Sequence, residues 1–180
     1  MNFIETKLDG AYVIDLEPIK DERGFFARAW CKREFEEQGL VTNFVQANIS
    51  FNEKAGTLRG MHYQIAPHEE IKLIRCTRGA IYDVIIDLRP GSKTFKKWIS
   101  VELSAENYRM VYIPKGFAHG FQTLCDASEM YYLHSEYYAP NASAGVRWDD
   151  PEFGIDWPEI EQRVISNKDT NWPPYHATEC

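Results

Sequence analysis

The chain has 180 residues, 44% of them hydrophobic, and a net charge of −7; it is long enough for a sizeable core and is expected to form one domain over residues 1–180. The acidic balance excludes a general nucleic-acid or membrane-surface binder, which needs a basic face, and no stretch is apolar enough to serve as a signal peptide or to span a membrane. The four cysteines, Cys31, Cys76, Cys125 and Cys180, are far apart and form no CxxC pair, which speaks against a disulfide framework or structural zinc and for reduced thiols in a cytoplasmic protein.

In chain order, Ala11 to Leu16 alternates like a strand and stops at Pro18. Asp21-Glu22-Arg23-Gly24 reads as a turn, and Phe25 to Trp30 as the next strand. Lys32 to Gln38 is the best helix candidate, closed by Gly39 just past its end. Strand alternation returns over 44–50, and strands follow at about 57–64, 71–76, 80–88, 97–103, 110–113, 120–125 and 129–138. Gly79, Pro90-Gly91, Asn107 and Pro114-Lys115-Gly116 mark the turns between them. Many short strands with evenly spaced turns point to an all-β sandwich or jelly-roll barrel. After Pro140 the alternation fades, and the Trp- and Pro-rich tail is expected to wrap the barrel as loops and short helical turns.

Polar groups inside core strands are costly unless they are satisfied. Thr57 to Gln64 and Ile71 to Arg75 nevertheless hold Arg59, His62, Gln64 and Lys72. Strict alternation puts Arg59, Met61 and Tyr63 on one face and Gly60, His62 and Gln64 on the other. With His62 and Lys72 both inward, one surface carries a base that titrates near neutrality and a cation for a developing oxyanion. The ordinary alternatives are a hydrogen-bonded core histidine and an outward lysine. One of Tyr131, Tyr132, Tyr137 and Tyr138, crowded on one late strand, could supply an acid opposite the imidazole. Arg23, Arg59, Arg75 and Arg78 could grip a diphosphate, whose oxygens match guanidinium forks. His62 and His119 could instead be two metal ligands.

Ile113-Pro114-Lys115-Gly116-Phe117-Ala118-His119 resembles the second motif of the cupin superfamily. The first cupin metal motif, His-x-His, is here His62-Tyr63-Gln64, so its second histidine is missing. A wider ordered set runs nearly end to end. It includes Asp21-Glu22-Arg23-Gly24-Phe25-Phe26, Gln46-Ala47-Asn48-Ile49-Ser50, Leu58 to Gln64, Lys72-Leu73-Ile74-Arg75, Leu103 to Asn107, Ile113 to Phe121, Trp148-Asp149-Asp150-Pro151 and Ser166-Asn167-Lys168-Asp169. Together these resemble the dTDP-4-dehydrorhamnose 3,5-epimerase family. The resemblance implies a cupin jelly-roll barrel with short peripheral helices and a homodimer whose N-terminal strands pair across subunits. It implies metal-free, cofactor-free epimerisation of a nucleotide-diphosphate sugar at C3, C5 or both. Residue by residue it implies His62 as base, Asp169 orienting it, Lys72 at the enolate oxygen and Tyr132 as acid. It also implies Arg23 and Arg59 on the diphosphate, Phe26 and Tyr138 on the nucleotide, Gln46 and Asn48 as polar contacts, and His119 lining the pocket.

Three departures from the family pattern stand out. Arg28 replaces a Glu near the nucleoside, Glu70-Ile71 replaces Gln-Gly before the lysine, and Leu133, followed by His134, stands after Tyr132 where Lys is common. They predict that the nucleotide or sugar differs from the common one, with CDP- or GDP-linked sugars or inversion at one carbon as the expected variants. The rival readings are a 3,4-ketoisomerase of the same fold, a metal-dependent cupin enzyme and a non-catalytic sugar-nucleotide binder.

Overall fold

The structure, a computed structural model, describes residues 1–175; Cys180 lies outside them. Fourteen strands and two short helices follow one another in the described residues. In order they are β1 (Asn2–Glu5), β2 (Tyr12–Asp15), β3 (Ile19–Asp21), β4 (Gly24–Phe26), α1 (Lys32–Glu37), β5 (Gln46–Asn52), β6 (Thr57–Gln64) and β7 (Lys72–Arg78). They continue with β8 (Ala80–Asp87), β9 (Trp98–Ser104), β10 (Met110–Ile113), β11 (Phe117–Thr123), β12 (Ser128–His134), β13 (Ser143–Gly145), β14 (Val164–Ile165) and α2 (Asn167–Thr170). No helix among the described residues is long and apolar enough to cross a membrane.

Two sheets face each other in the jelly-roll arrangement expected. One has the order β1-β2-β10-β7-β12-β5 and the other β13-β6-β11-β8-β9, with β14 added beside β6. Ile74, Cys76, Val111, Ile113 and Met130 of the first sheet meet Ile81, Ile85, Leu103, Phe117 and Phe121 of the second between the layers. Both outer faces are covered as well. The tail lays Phe153, Trp157 and Tyr175 over Leu58, Met61, Val84 and Ile86. Phe35 of α1 packs with Leu73, Met110 and Tyr112 on the other side. Strands buried on two faces need apolar residues at successive positions, which is why Leu73 and Ile74 of β7 and Val84 to Ile86 of β8 are apolar one after another.

Several element boundaries differ from expectation, and three of these differences shape the site. The strand expected over 25–30 ends at Phe26, because β3 and β4 form a separate two-stranded hairpin and 27–30 has no strand to pair with. The strand expected from 120 begins at Phe117, so His119 lies inside β11, directly opposite His62 on β6. The strand expected to 138 ends at His134, opposite Lys72 at the start of β7, so Tyr137 and Tyr138 leave the ladder and are exposed. The strand β1, at the first residues, was not anticipated.

The alternation expected for β6 also fails. His62 pairs with His119 and Arg59 with Phe121, so Gly60 and Met61 together oppose Gly120 alone. This bulge adds one residue to β6 and brings Arg59 to the same side as His62 while Met61 turns outward. The extra residue fits because the two backbones nearly touch. A Cβ on Gly60, whose φ is +128°, would lie 2.5 Å from the Gly120 Cα; one on Gly120 would lie 2.5 Å from the Met61 sulfur and 2.8 Å from the Arg59 carbonyl oxygen. Gly120→Ala is therefore expected to destabilise the fold by about 3 kcal/mol. Urea unfolding would show it, and a variant as stable as the parent would contradict the close approach.

Candidate active site

The cavity opens between the two sheets and holds about 490 Å³. Arg59, His62, His119 and Phe121 line it from the β6–β11 side, and Gln46, Asn48, Ser50, Lys72, Tyr132 and His134 from the β5–β12–β7 side. Strand register sets the second group in rows. His134 sits between Gln46 and Lys72, and Tyr132 between Asn48 and Ile74. Side chains opposite one another on neighbouring strands lie within contact range; Gln46, His134 and Lys72 reach the cavity together, and so do Asn48 and Tyr132, while Ile74 stays in the core.

His62 Nε2 lies 2.6 Å from Asp169 Oδ1. Asp169 belongs to α2, where the Ser166 hydroxyl caps the Asp169 N–H at 3.1 Å. Its second oxygen faces the Gly60 N–H at 3.4 Å. Burial raises the Asp169 carboxyl, but the bond from His62 and these backbone contacts outweigh it and hold the group below its ordinary value. The carboxylate thus accepts from Nε2–H, and Nδ1 keeps the lone pair. Trp172 stands edge-on to the His62 ring at 6.4 Å and presses against Gly145 of β13, where a larger residue would have no room.

Lys72 is 6% exposed. Its Nζ donates to the His62 carbonyl at 3.3 Å and pairs with Glu70 Oε1 at 3.1 Å. The other oxygen of Glu70 lies 2.8 Å from His134 Nδ1. Burial raises the Glu70 carboxyl, yet His134 and Lys72 more than offset this and hold it at about 2. Burial pushes the Tyr132 phenol well above its ordinary value despite Ser50, so it keeps its proton throughout the neutral range. His119 Nε2 lies 2.6 Å from Asp83 Oδ1, with both side chains buried; desolvation holds this imidazole below its ordinary value against the pull of the carboxylate. Arg59 Nε donates to Asn52 at 2.7 Å, which steadies the guanidinium at the cavity wall.

Of the expected site residues, His62, Lys72, Tyr132, Gln46, Asn48, Arg59, His119 and Tyr138 line this one cavity, with Asp169 behind His62. The structure does not bring Arg23, Phe26 or Arg28 to it within one chain. Arg23 and Phe26 sit on the exposed β3–β4 hairpin, where Arg23 pairs with Asp21, and Arg28 pairs with Glu34 at 2.7 Å. Sequence reasoning did not count Asp83, Glu70 or His134 among the site residues. Asp83 carried a signal, a lone carboxylate in the apolar run Ile81 to Ile86. His134 also carried one, two residues beyond Tyr132 on the same face. Among the described residues no three His, Cys, Asp or Glu side chains converge as a metal-holding group.

Comparison with known proteins agrees with this geometry. Residues 5–177 match the family described as dTDP-4-dehydrorhamnose 3,5-epimerase. An epimerase of that name from Methanothermobacter thermautotrophicus is 46% identical over 96% of this chain and 93% of its own. The crystal structure of one from Elizabethkingia anophelis superposes with a TM-score of 0.96 at 38% identity, covering 100% of this chain and 99% of that one. A Legionella pneumophila dTDP-6-deoxy-D-glucose-3,5-epimerase in complex with dTDP-4-keto-L-rhamnose superposes with a TM-score of 0.88 at 41% identity, over 93% and 89%.

The depressed Glu70 carboxyl makes an acid-stability prediction. Its contribution is fully present above the ordinary carboxyl value of 4.5 and is lost as pH falls through about 2; the shift corresponds to roughly 3 kcal/mol. In Glu70→Gln, stability should therefore decline less steeply between pH 5 and pH 2, as followed by urea unfolding at each pH. An unchanged slope would contradict the ion pairing of Glu70.

Proposed function

Because the chain belongs to the dTDP-4-dehydrorhamnose 3,5-epimerase family, we propose that its cavity inverts the carbons flanking the keto group of a dTDP-linked 4-keto-6-deoxy hexose through the residues described above. The enzyme is an epimerase acting at C3 and C5 of a nucleotide-linked sugar. One observation carries the assignment of roles. His62 and Tyr132 come from different sheets and line one cavity, whose wall also carries Lys72.

Inversion needs that arrangement. A proton leaves one face of the ring and another must return to the opposite face. The protons beside a ketone are acidic because the resulting charge moves to the carbonyl oxygen. His62 Nδ1 takes the proton, and the Asp169 carboxylate behind Nε2 stabilises the imidazolium that forms. Lys72 stands ready at the enolate oxygen as a preorganised positive charge in a site with little water. Tyr132, kept protonated by burial, returns a proton from the far side. A ketoisomerase of the same fold needs no phenol facing its base, so the placement of Tyr132 favours epimerisation.

Arg59 is positioned for the diphosphate, and Gln46, Asn48, His119 and Tyr138 for the rest of the ligand. The dTDP assignment follows the relatives. At the position where Glu is expected, the Arg28 guanidinium pairs with Glu34 at 2.7 Å, so a carboxylate still stands at this place. We assign Arg23, Phe26 and Arg28 to the cavity of a partner subunit in a cytoplasmic homodimer. The β3–β4 hairpin joins neither main sheet and leaves Ile19 and Phe26 exposed, while the edge strand β5 leaves Ile49 and Phe51 exposed. Large unpartnered apolar side chains beside an open strand edge mark an association surface.

Proton exchange in deuterated water tests the roles. With dTDP-4-keto-6-deoxyglucose, NMR should show exchange at both C3 and C5. His62→Ala should slow it about 1,000-fold. Tyr132→Phe should slow inversion more than exchange, because abstraction survives while the acid on the far side is gone. dTDP should compete better than CDP or GDP; the reverse order would sink the nucleotide assignment. Sedimentation should give a species of twice the chain mass, and Phe26→Ala should shift it toward the monomer. A parent protein that sediments as a monomer would overturn the shared site.

A further inference from the structure

Among the described residues, three imidazole–carboxylate pairs surround the cavity. His62 with Asp169 and His119 with Asp83 both belong to the machinery already described. The third, His134 with Glu70, has no place in it, and Glu70 stands where the family pattern has Gln.

The geometry of the third pair is specific. Glu70 is an ionised carboxylate and can only accept hydrogen bonds. Its two oxygens therefore take one bond from Lys72 Nζ at 3.1 Å and one from His134 at 2.8 Å, so the His134 Nδ1 carries the proton. His134 and Lys72 are also direct neighbours in register across β12 and β7. All three side chains are almost fully buried, at 11%, 11% and 7% exposure for His134, Glu70 and Lys72. A lysine ammonium on a four-carbon stem has many rotamers. Here one carboxylate oxygen and one backbone carbonyl select among them, and the carboxylate is itself gripped from behind by an imidazole.

We propose that Glu70 and His134 are positioning residues for Lys72: the imidazole fixes the carboxylate, and the carboxylate fixes the ammonium where negative charge develops on the substrate. This rests on the role given to Lys72 above. Where a Gln precedes the lysine, the neutral amide has one acceptor oxygen, which cannot bind the ammonium and the imidazole through two separate oxygens. Glu70 and His134 are therefore one device, and each residue has its purpose only with the other. His134 also stacks on the Tyr132 ring, with centroids 5.8 Å apart and planes at 27°. A competing route, from His134 to the acid, must therefore be told apart from the route to Lys72.

A double-variant cycle on the C3 and C5 exchange rates separates them. His134→Ala and Glu70→Ala should each lower kcat about tenfold with KM unchanged, and together no more than either alone. His134→Asn should recover most of the rate, since its amide nitrogen can donate to Glu70 from nearly the place of Nδ1. In a Lys72→Ala background, His134→Ala should cost nothing further. An effect that persists there and disappears in a Tyr132→Phe background would overturn the proposal in favour of a route through the acid. So would additive losses, a rise in KM alone, or failure of His134→Asn to recover rate while its melting temperature matches the parent. Exchange by the unaltered protein separates the two readings. Without it the epimerase assignment fails, and this inference with it; with it, an additive cycle overturns this inference alone.

Discussion

The contact between Gly60 and Gly120 is the constraint on which the site depends. Two glycine backbones approach closely enough that β6 can carry one residue more than β11 across the same interval. Without that extra residue, strict alternation would leave Arg59 and His62 on opposite faces, one in the cavity and the other under the tail. With it, the guanidinium and the imidazole both face the substrate space, while Leu58 and Met61 join the outer cluster beneath Phe153 and Trp157. The same bulge places the Gly60 N–H toward Asp169, so the local irregularity that turns His62 inward also helps hold the carboxylate that orients it.

Burial on both faces of both sheets gives the cavity its electrostatic character. Strands covered on two sides leave little water near polar groups, so a polar side chain among them is costly without a partner. Asp83, Asp169 and Glu70 each meet an imidazole, and Lys72 meets Glu70 and a carbonyl. Charges fixed in this way cost little reorganisation during the reaction, and they act through a less polar medium than water. The same burial that shapes the barrel keeps Tyr132 protonated, as the acid role proposed for it requires.

The N-terminal arm obeys a different rule. β3 and β4 pair only with each other, and their apolar side chains face solvent within one chain. The residues of this arm that the family pattern assigns to the ligand are thus separated from the cavity that the same chain builds. An arm with its own exposed apolar surface and an open sheet edge are complementary features, which the dimer proposed above would join.

The sequence by itself determined the class of fold, most strand positions and most of the polar residues that line the cavity. Short alternating runs with regular turns have few alternatives to a β barrel, and His62, Lys72 and Tyr132 stand out as polar groups in apolar strands. Motif order supplied Asp169, which local pattern alone would have left as an unremarkable helix residue. Tertiary structure decided what depends on register. A bulge shifts a side chain by one face without any change of composition, so the orientation of Arg59 could not be read from alternation. His119 entered β11, and Tyr138 left β12, because strand ends are set by where a neighbouring strand stops offering partners. Glu70 and His134 are 64 residues apart, and only the pairing of β7 with β12 makes them one group. A carboxylate and an imidazole that far apart carry no mark of each other in sequence; their hydrogen bond exists because two strands lie side by side.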